Sequence, residues 1–220
     1  MLQFFLILSF FVLPPIFAFQ DKNAALDFSK FNFYILPCFL LGLFLFLQNK
    51  NKEKSPLKRH PVWSAAFFSS HFFIALGCLA LSSAFFEGIR ALLKIKCDDN
   101  VILPSNGLEA FFCALTLAAS AFYEESLYRL YLPNVLKSLF LGAAEEEKRP
   151  KLFMALKALM EFMAAALFAL AHRPQGIFAV LNAFAAGCVL RVRFVKSKSL
   201  WPPFAAHLCY NACALLFAFL

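Results

Sequence analysis

The sequence is poor in charge. Only 15% of its 220 residues are Asp, Glu, Lys or Arg, far below the quarter or so of a soluble domain, so water is not the main solvent of its surface. Alternating apolar and polar segments of about ten residues are missing, which excludes an outer-membrane barrel. Cys-x-x-Cys pairs and Cys/His clusters at metal-ligand spacing are missing too. Of the seven cysteines, Cys38, Cys78, Cys113, Cys188, Cys209 and Cys213 fall within apolar segments and read as small core residues. No basic stripe or tail carries the net charge of +8. It is spread over short segments between apolar runs, which argues against a nucleic-acid partner. The first segment has neither a basic region ahead of its apolar run nor a clear cleavage site, so it is expected to remain as a helix, kinked at Pro14 and Pro15.

What the chain has is apolar length. Hydrophobic residues make up 62% of it and 31 residues are Phe, with a mean hydropathy of +0.71. Runs such as Phe31 to Leu47 are apolar on every face and far too long for strands. About 20 such residues cross a bilayer core. The expected fold is therefore all-α, a polytopic transmembrane helical bundle of about seven spans, near 2–19, 33–48, 64–86, 107–133, 152–171, 176–190 and 200–220. The sixth, at about 15 residues, is short for a crossing and is expected to be tilted, re-entrant or shielded by neighbours. Between the spans, Lys and Arg are biased to one side. That side holds Lys50, Lys52, Lys54, Lys58, Arg59, Lys137, Lys148, Arg149, Lys151, Arg191, Arg193, Lys196 and Lys198, against six on the other. The bias predicts a multi-pass protein of the cytoplasmic membrane with its N-terminus inside.

Polar residues inside the spans are the candidates for chemistry. Glu124, Glu125 and Arg129 interrupt an otherwise apolar helix, AASAFYEESLYRLYLP, where each ionised group costs roughly 2.5 to 3.5 kcal/mol at the bilayer centre. They should therefore face a polar cavity and one another. Glu125 and Arg129 are four apart and share a helix face, while Glu124 is turned about 100° away, free for another neighbour. Two further patterns follow, Phe168 with His172 and His207 with Asn211, the latter pair again four apart on one face. Other polar residues receive structural readings. Lys157 and Glu161 form an interfacial i,i+4 pair, the acidic run Glu145 to Glu147 is a solvated loop, and His60 sits in a basic loop. His71 packs between helices or lines a cavity, and Asn182 also lines the cavity.

These residues carry a resemblance. Glu124-Glu125-x-x-x-Arg129, Phe168-x-x-x-His172 and His207-x-x-x-Asn211 resemble, in order, the three motifs of the CPBP family, the intramembrane CAAX proteases and bacteriocin-processing enzymes. The similarity runs from about Leu108 to Leu220 and includes the approach to the last motif, Ser199 through Pro203. It implies a CAAX-protease-like catalytic core over 107–220, which joins the N-terminal transmembrane helices that the apolar runs place in 1–106 in one membrane domain. It also implies hydrolysis of a peptide bond within or beside the membrane, after a prenylated cysteine or in a leader or C-terminal peptide. Glu124 would be the base that takes a proton from water. His172 would orient that water, His207 and Asn211 would donate hydrogen bonds to the oxyanion, and Glu125 and Arg129 would support them. The partners implied are a peptide or protein substrate, with or without a lipid modification, and membrane lipids.

Two questions stay open in the sequence. Catalysis without a cofactor competes with use of one divalent metal such as zinc, for which Glu124, His172 and His207 are a sufficient ligand set, making the chain metalloprotease-like. A non-catalytic binding or bacteriocin-immunity protein would use the same cavity. A proton-coupled transporter ranks last, since such folds are built on internal repeats and none is visible here.

Overall fold

The computed structural model describes residues 1–18, 26–30, 32–51, 64–95, 101–141 and 150–217. They form an all-α bundle. In chain order its elements are α1 (Leu2–Ile7), a π-helical segment Leu8–Val12, α2 (Leu13–Phe17), α3 (Ile35–Lys50), α4 (Ala65–Leu92) and α5 (Gly107–Glu124). A second π-helical segment, Glu125–Tyr131, runs on into α6 (Leu132–Phe140). Then come α7 (Pro150–Leu170), a 3-10 turn Arg173–Gln175, α8 (Ile177–Ser197) and α9 (Trp201–Phe217). The only strands among the described residues, Leu26–Asp27 and Val101–Ile102, pair in parallel for two residues. The protein is a membrane protein. Ala65–Leu92, Pro150–Leu170 and Ile177–Ser197 are each long and apolar enough to cross a bilayer. Large side chains on α4 such as Phe73, Leu81 and Phe85 point outward, as a lipid-facing surface requires.

Helical segments stand at all seven expected places, with one correction. The sixth is not a short stub near 176–190 but a continuous helix of 21 residues ending at Ser197. Arg191, Arg193 and Lys196 therefore lie on a helix and not in a loop. Arg191 can continue it because its guanidinium turns inward onto Glu161. Lys137 likewise sits in α6. Glu161 takes Lys137 and Arg191 as partners, so the expected Lys157–Glu161 pair gives way to a contact between helices. The stretches holding His60 and Glu145 to Glu147 lie outside the described residues.

Prolines shape the first helix, as expected. Pro14 and Pro15 lack an amide hydrogen and deprive the carbonyls four residues earlier, at Phe10 and Phe11, of their α-helical donors. The helix widens there, Leu13 donating to the carbonyl of Leu8 five residues back. Both freed oxygens are taken by tyrosines from elsewhere in the chain. Tyr34 Oη donates to the Phe10 carbonyl at 3.3 Å and Tyr123 Oη to that of Phe11 at 3.1 Å. Reciprocal amide bonds between Gln3 and Gln48, at 3.1 and 3.2 Å, tie the same helix to α3.

The main core draws on both halves of the chain. Ile7, Val12, Ile16, Ile35, Cys38 and Leu45 pack with Tyr123, Leu127, Tyr128, Met160, Ala164, Phe168 and Ala183. The N-terminal helices are thus part of the same packed unit as the motif-bearing ones. At Gly42, α3 approaches α5 so closely that a Cβ would lie 2.9 Å from the Tyr123 Cα. That contact is with backbone, which cannot swing aside. Gly42→Ala is expected to destabilise the protein by about 1–3 kcal/mol through overpacking. Gly77→Ala, where a Cβ meets nothing within 4 Å, should cost nothing, as thermal unfolding of the two variants in detergent will show.

Candidate active site

The site begins where α5 ends. Asn106 caps α5, its Oδ1 accepting from the Glu109 amide at 3.0 Å, and fixes where the helix starts. After Glu124 the helix widens for seven residues, Leu132 donating to the carbonyl of Leu127 rather than that of Tyr128. The wide turn ends at Pro133, which has no amide hydrogen to offer the Arg129 carbonyl. Wide turns of this kind recur where side chains must be re-aimed for function. Here all three ionisable residues of the first motif stand at or within it.

Glu125 and Arg129 are deeply buried, 0% and 1% exposed. They form the expected ion pair, with Arg129 Nη2 3.5 Å from Glu125 Oε1. The Arg129 guanidinium also lies over the face of Phe168, 4.0 Å from the ring centre, a favourable seat for a buried cation. The unforeseen partner is His207, whose Nδ1 donates to the same Glu125 Oε1 at 2.9 Å across 82 residues of sequence. Its Nε2 stands 3.7 Å from Glu124 Oε2. One imidazole is therefore flanked by both carboxylates of the motif. Their surroundings differ: Glu124 is 23% exposed at its side chain, whereas Glu125 is sealed in.

His172 joins the site through Phe168. It lies just beyond α7, and its Nδ1 donates to the Phe168 carbonyl at 2.9 Å. A carbonyl can only accept, so the proton sits on Nδ1 and leaves Nε2 with its lone pair in the neutral ring. The Phe168 ring meets His172 edge-on at 4.8 Å between centres and His207 at 6.3 Å. Behind it, Gly187 of α8 makes the room, since a Cβ there would lie 3.2 Å from the ring. Asn211 lies one turn beyond His207 on α9, half-buried and without a hydrogen-bond partner among the described residues. Asn182 bonds Ser82 and Tyr210, accepting from Ser82 Oγ at 2.8 Å and donating to Tyr210 Oη at 2.9 Å.

The structure thus brings Glu124, Glu125, Arg129 and His207 into contact and sets His172 beside them, one ring away. Among the described residues no three His, Cys, Asp or Glu side chains are grouped to hold a metal ion. His172 turns its Nδ1 to backbone, which fixes the ring and leaves Nε2 facing away from that bond.

Sequence reasoning missed a second ionic cluster beside the first. Arg191 Nε and Nη2 donate to Glu161 Oε2 and Oε1, each at 2.7 Å, and Lys137 pairs with the same carboxylate. The remaining nitrogen, Arg191 Nη1, donates to the Arg129 carbonyl at 2.5 Å. The signal for this was present in the sequence as the four-residue interval from Arg129 to Pro133.

Residues 106–213 match the model of a protein family described as Type II CAAX prenyl endopeptidase Rce1-like. No curated protein and no solved structure shows a comparable similarity. The matched segment holds all three motifs in order, and of their residues Glu124, Glu125, Arg129 and His172 lie around His207 and Phe168. Over residues 106–213, just under half of its length, the chain is thus similar to the Rce1-like type II CAAX prenyl endopeptidases.

Proposed function

We propose that this chain is an intramembrane endopeptidase that hydrolyses a peptide bond by water activation at Glu124. The observation that carries this reading is the unequal fate of two adjacent carboxylates. Glu125 is buried with Arg129 and His207 as partners, whereas Glu124 is partly open and holds only a loose approach to His207. A base must reach both water and the bond to be cut. Only Glu124 has that access.

In the proposed reaction Glu124 takes a proton from water as the oxygen attacks the carbonyl carbon. Negative charge then develops on the carbonyl oxygen and must meet donors already in place. Asn211 supplies an amide N–H. His207 supplies a second at Nε2 in its imidazolium form, its Nδ1 being held by Glu125. His172, with Nδ1 fixed on backbone, offers Nε2 as acceptor for the second hydrogen of the water. Collapse of the intermediate breaks the C–N bond and the proton passes from Glu124 to the leaving amine.

The substrate proposed is a peptide or protein bearing a lipid-modified cysteine, presented from the bilayer. Residues 107–220 would carry the chemistry while the first 106 shield it from lipid, with the N-terminus in the cytoplasm. Cleavage of a tagged farnesylated CAAX peptide by the purified protein in liposomes tests the reading. Glu124→Gln should abolish cleavage, typically a loss of at least 100-fold, in a protein that unfolds at the wild-type temperature. Glu125→Gln should instead lower stability by about 3–5 kcal/mol, because Arg129 is left as a buried charge without its partner. An active Glu124→Gln beside a well-folded, inactive Glu125→Gln would reverse the two assignments. If neither wild type nor variant cleaves, the cavity serves binding alone.

Metal independence is the second expectation. Chelation should leave turnover unchanged, and anomalous scattering from the purified protein should reveal no stoichiometric ion. An ion bound by Glu124, His172 and His207 would refute the water-only mechanism.

A further inference from the structure

Arg129 is gripped twice. Its side chain pairs with Glu125 and lies over Phe168, and its carbonyl receives Arg191 Nη1 at 2.5 Å. The second grip answers a need written into the sequence. In an α-helix the Arg129 carbonyl would accept from residue 133, which is proline and has no N–H, and whose ring crowds that same oxygen. A buried carbonyl without a donor is costly, the more so at membrane depth.

The donor is unusually well aimed. Two nitrogens of Arg191 are held bidentate by Glu161, a planar match that fixes the fork, and Lys137 holds the same carboxylate from the other side. The third corner of the guanidinium then points at one oxygen on one neighbouring helix. Only an arginine can serve carboxylate and carbonyl together in that plane.

We infer that Arg191, held by Glu161, is a positioning residue of the active site: by satisfying the proline-orphaned Arg129 carbonyl it fixes the π-helical segment and with it the placement of Glu125, and so of Glu124 and His207. The inference rests on the hydrolytic reading of the site. It extends that site to residues that touch neither substrate nor water.

A cycle with Pro133→Ala separates this role from simple salt-bridge stability, because alanine restores an N–H that can serve the Arg129 carbonyl. Wild type, Arg191→Gln, Arg191→Lys, Pro133→Ala and Pro133→Ala/Arg191→Gln are reconstituted in liposomes and given the farnesylated CAAX peptide. Amide hydrogen exchange over Ser126–Tyr131 is followed in parallel. Arg191→Gln should lower kcat roughly 10- to 100-fold with KM little changed, since a displacement of about 1 Å is enough for such a loss, and should speed exchange in that segment. Arg191→Lys, which can serve one partner but not both, should fall between. Adding Pro133→Ala to Arg191→Gln should recover kcat severalfold and slow the exchange again. Additive losses in the double variant, or exchange over Ser126–Tyr131 unchanged by Arg191→Gln, would overturn the inference. If wild type does not cleave the peptide, the hydrolytic reading fails on its own and the exchange arm still decides whether Arg191 holds the segment.

Discussion

In a bilayer a carbonyl oxygen without an amide partner has no water to turn to, and this chain places prolines inside its helices regardless. Pro14, Pro15 and Pro133 each remove one donor four residues upstream, and each of those three oxygens is met by a side chain. Tyr34 serves Phe10, Tyr123 serves Phe11 and Arg191 serves Arg129. All three ties cross between elements far apart in sequence. Breaks in the helices thus become specific ties in a bundle where apolar packing against lipid offers little direction. Tyr123 directly precedes Glu124, so the tie from the first helix ends beside the proposed base.

The ionic residues follow the same logic at higher stakes. A charge is tolerated at this depth only with partners. Glu125 has Arg129 and His207, and Glu161 has Arg191 and Lys137. The two clusters meet at one residue, Arg129, whose side chain belongs to the first and whose carbonyl to the second. Glu125 Oε2, Ser126 Oγ and Arg129 Nε have no hydrogen-bond partner among the described residues. Unsatisfied groups of this kind, gathered in one π-helical stretch, are what function rather than stability retains.

How far the sequence revealed this depended on whether a signal was local. The helices were legible because apolar length is read along the chain, and so was the Glu125–Arg129 pair, a matter of helical spacing. Lys157 and Glu161 have the same spacing, yet Glu161 chose partners from α6 and α8. Periodicity cannot see a competitor 24 or 30 residues away. Arg191 was read as a loop residue because an arginine among apolar residues ordinarily marks a membrane boundary. What allowed it inside the helix was a carboxylate and a carbonyl on other helices. The contact of His207 with Glu125 was hidden for the same reason, although the order of the motifs said that the two belonged to one site.

The two histidines come to the site from different levels of their helices. His172 stands at the end of its helix and His207 about 9 Å along another, at 1.5 Å per residue. Phe168 is the wall that the two share. One turn before His172, it reaches into the bundle, takes Arg129 on its face and both imidazoles against its edges or face, and is made room for by the missing side chain of Gly187. A smaller residue there would leave the guanidinium without its seat and the two histidines without a common wall. The phenylalanine of the second motif is therefore as much a part of the site as the histidine that follows it, though it carries no chemistry of its own.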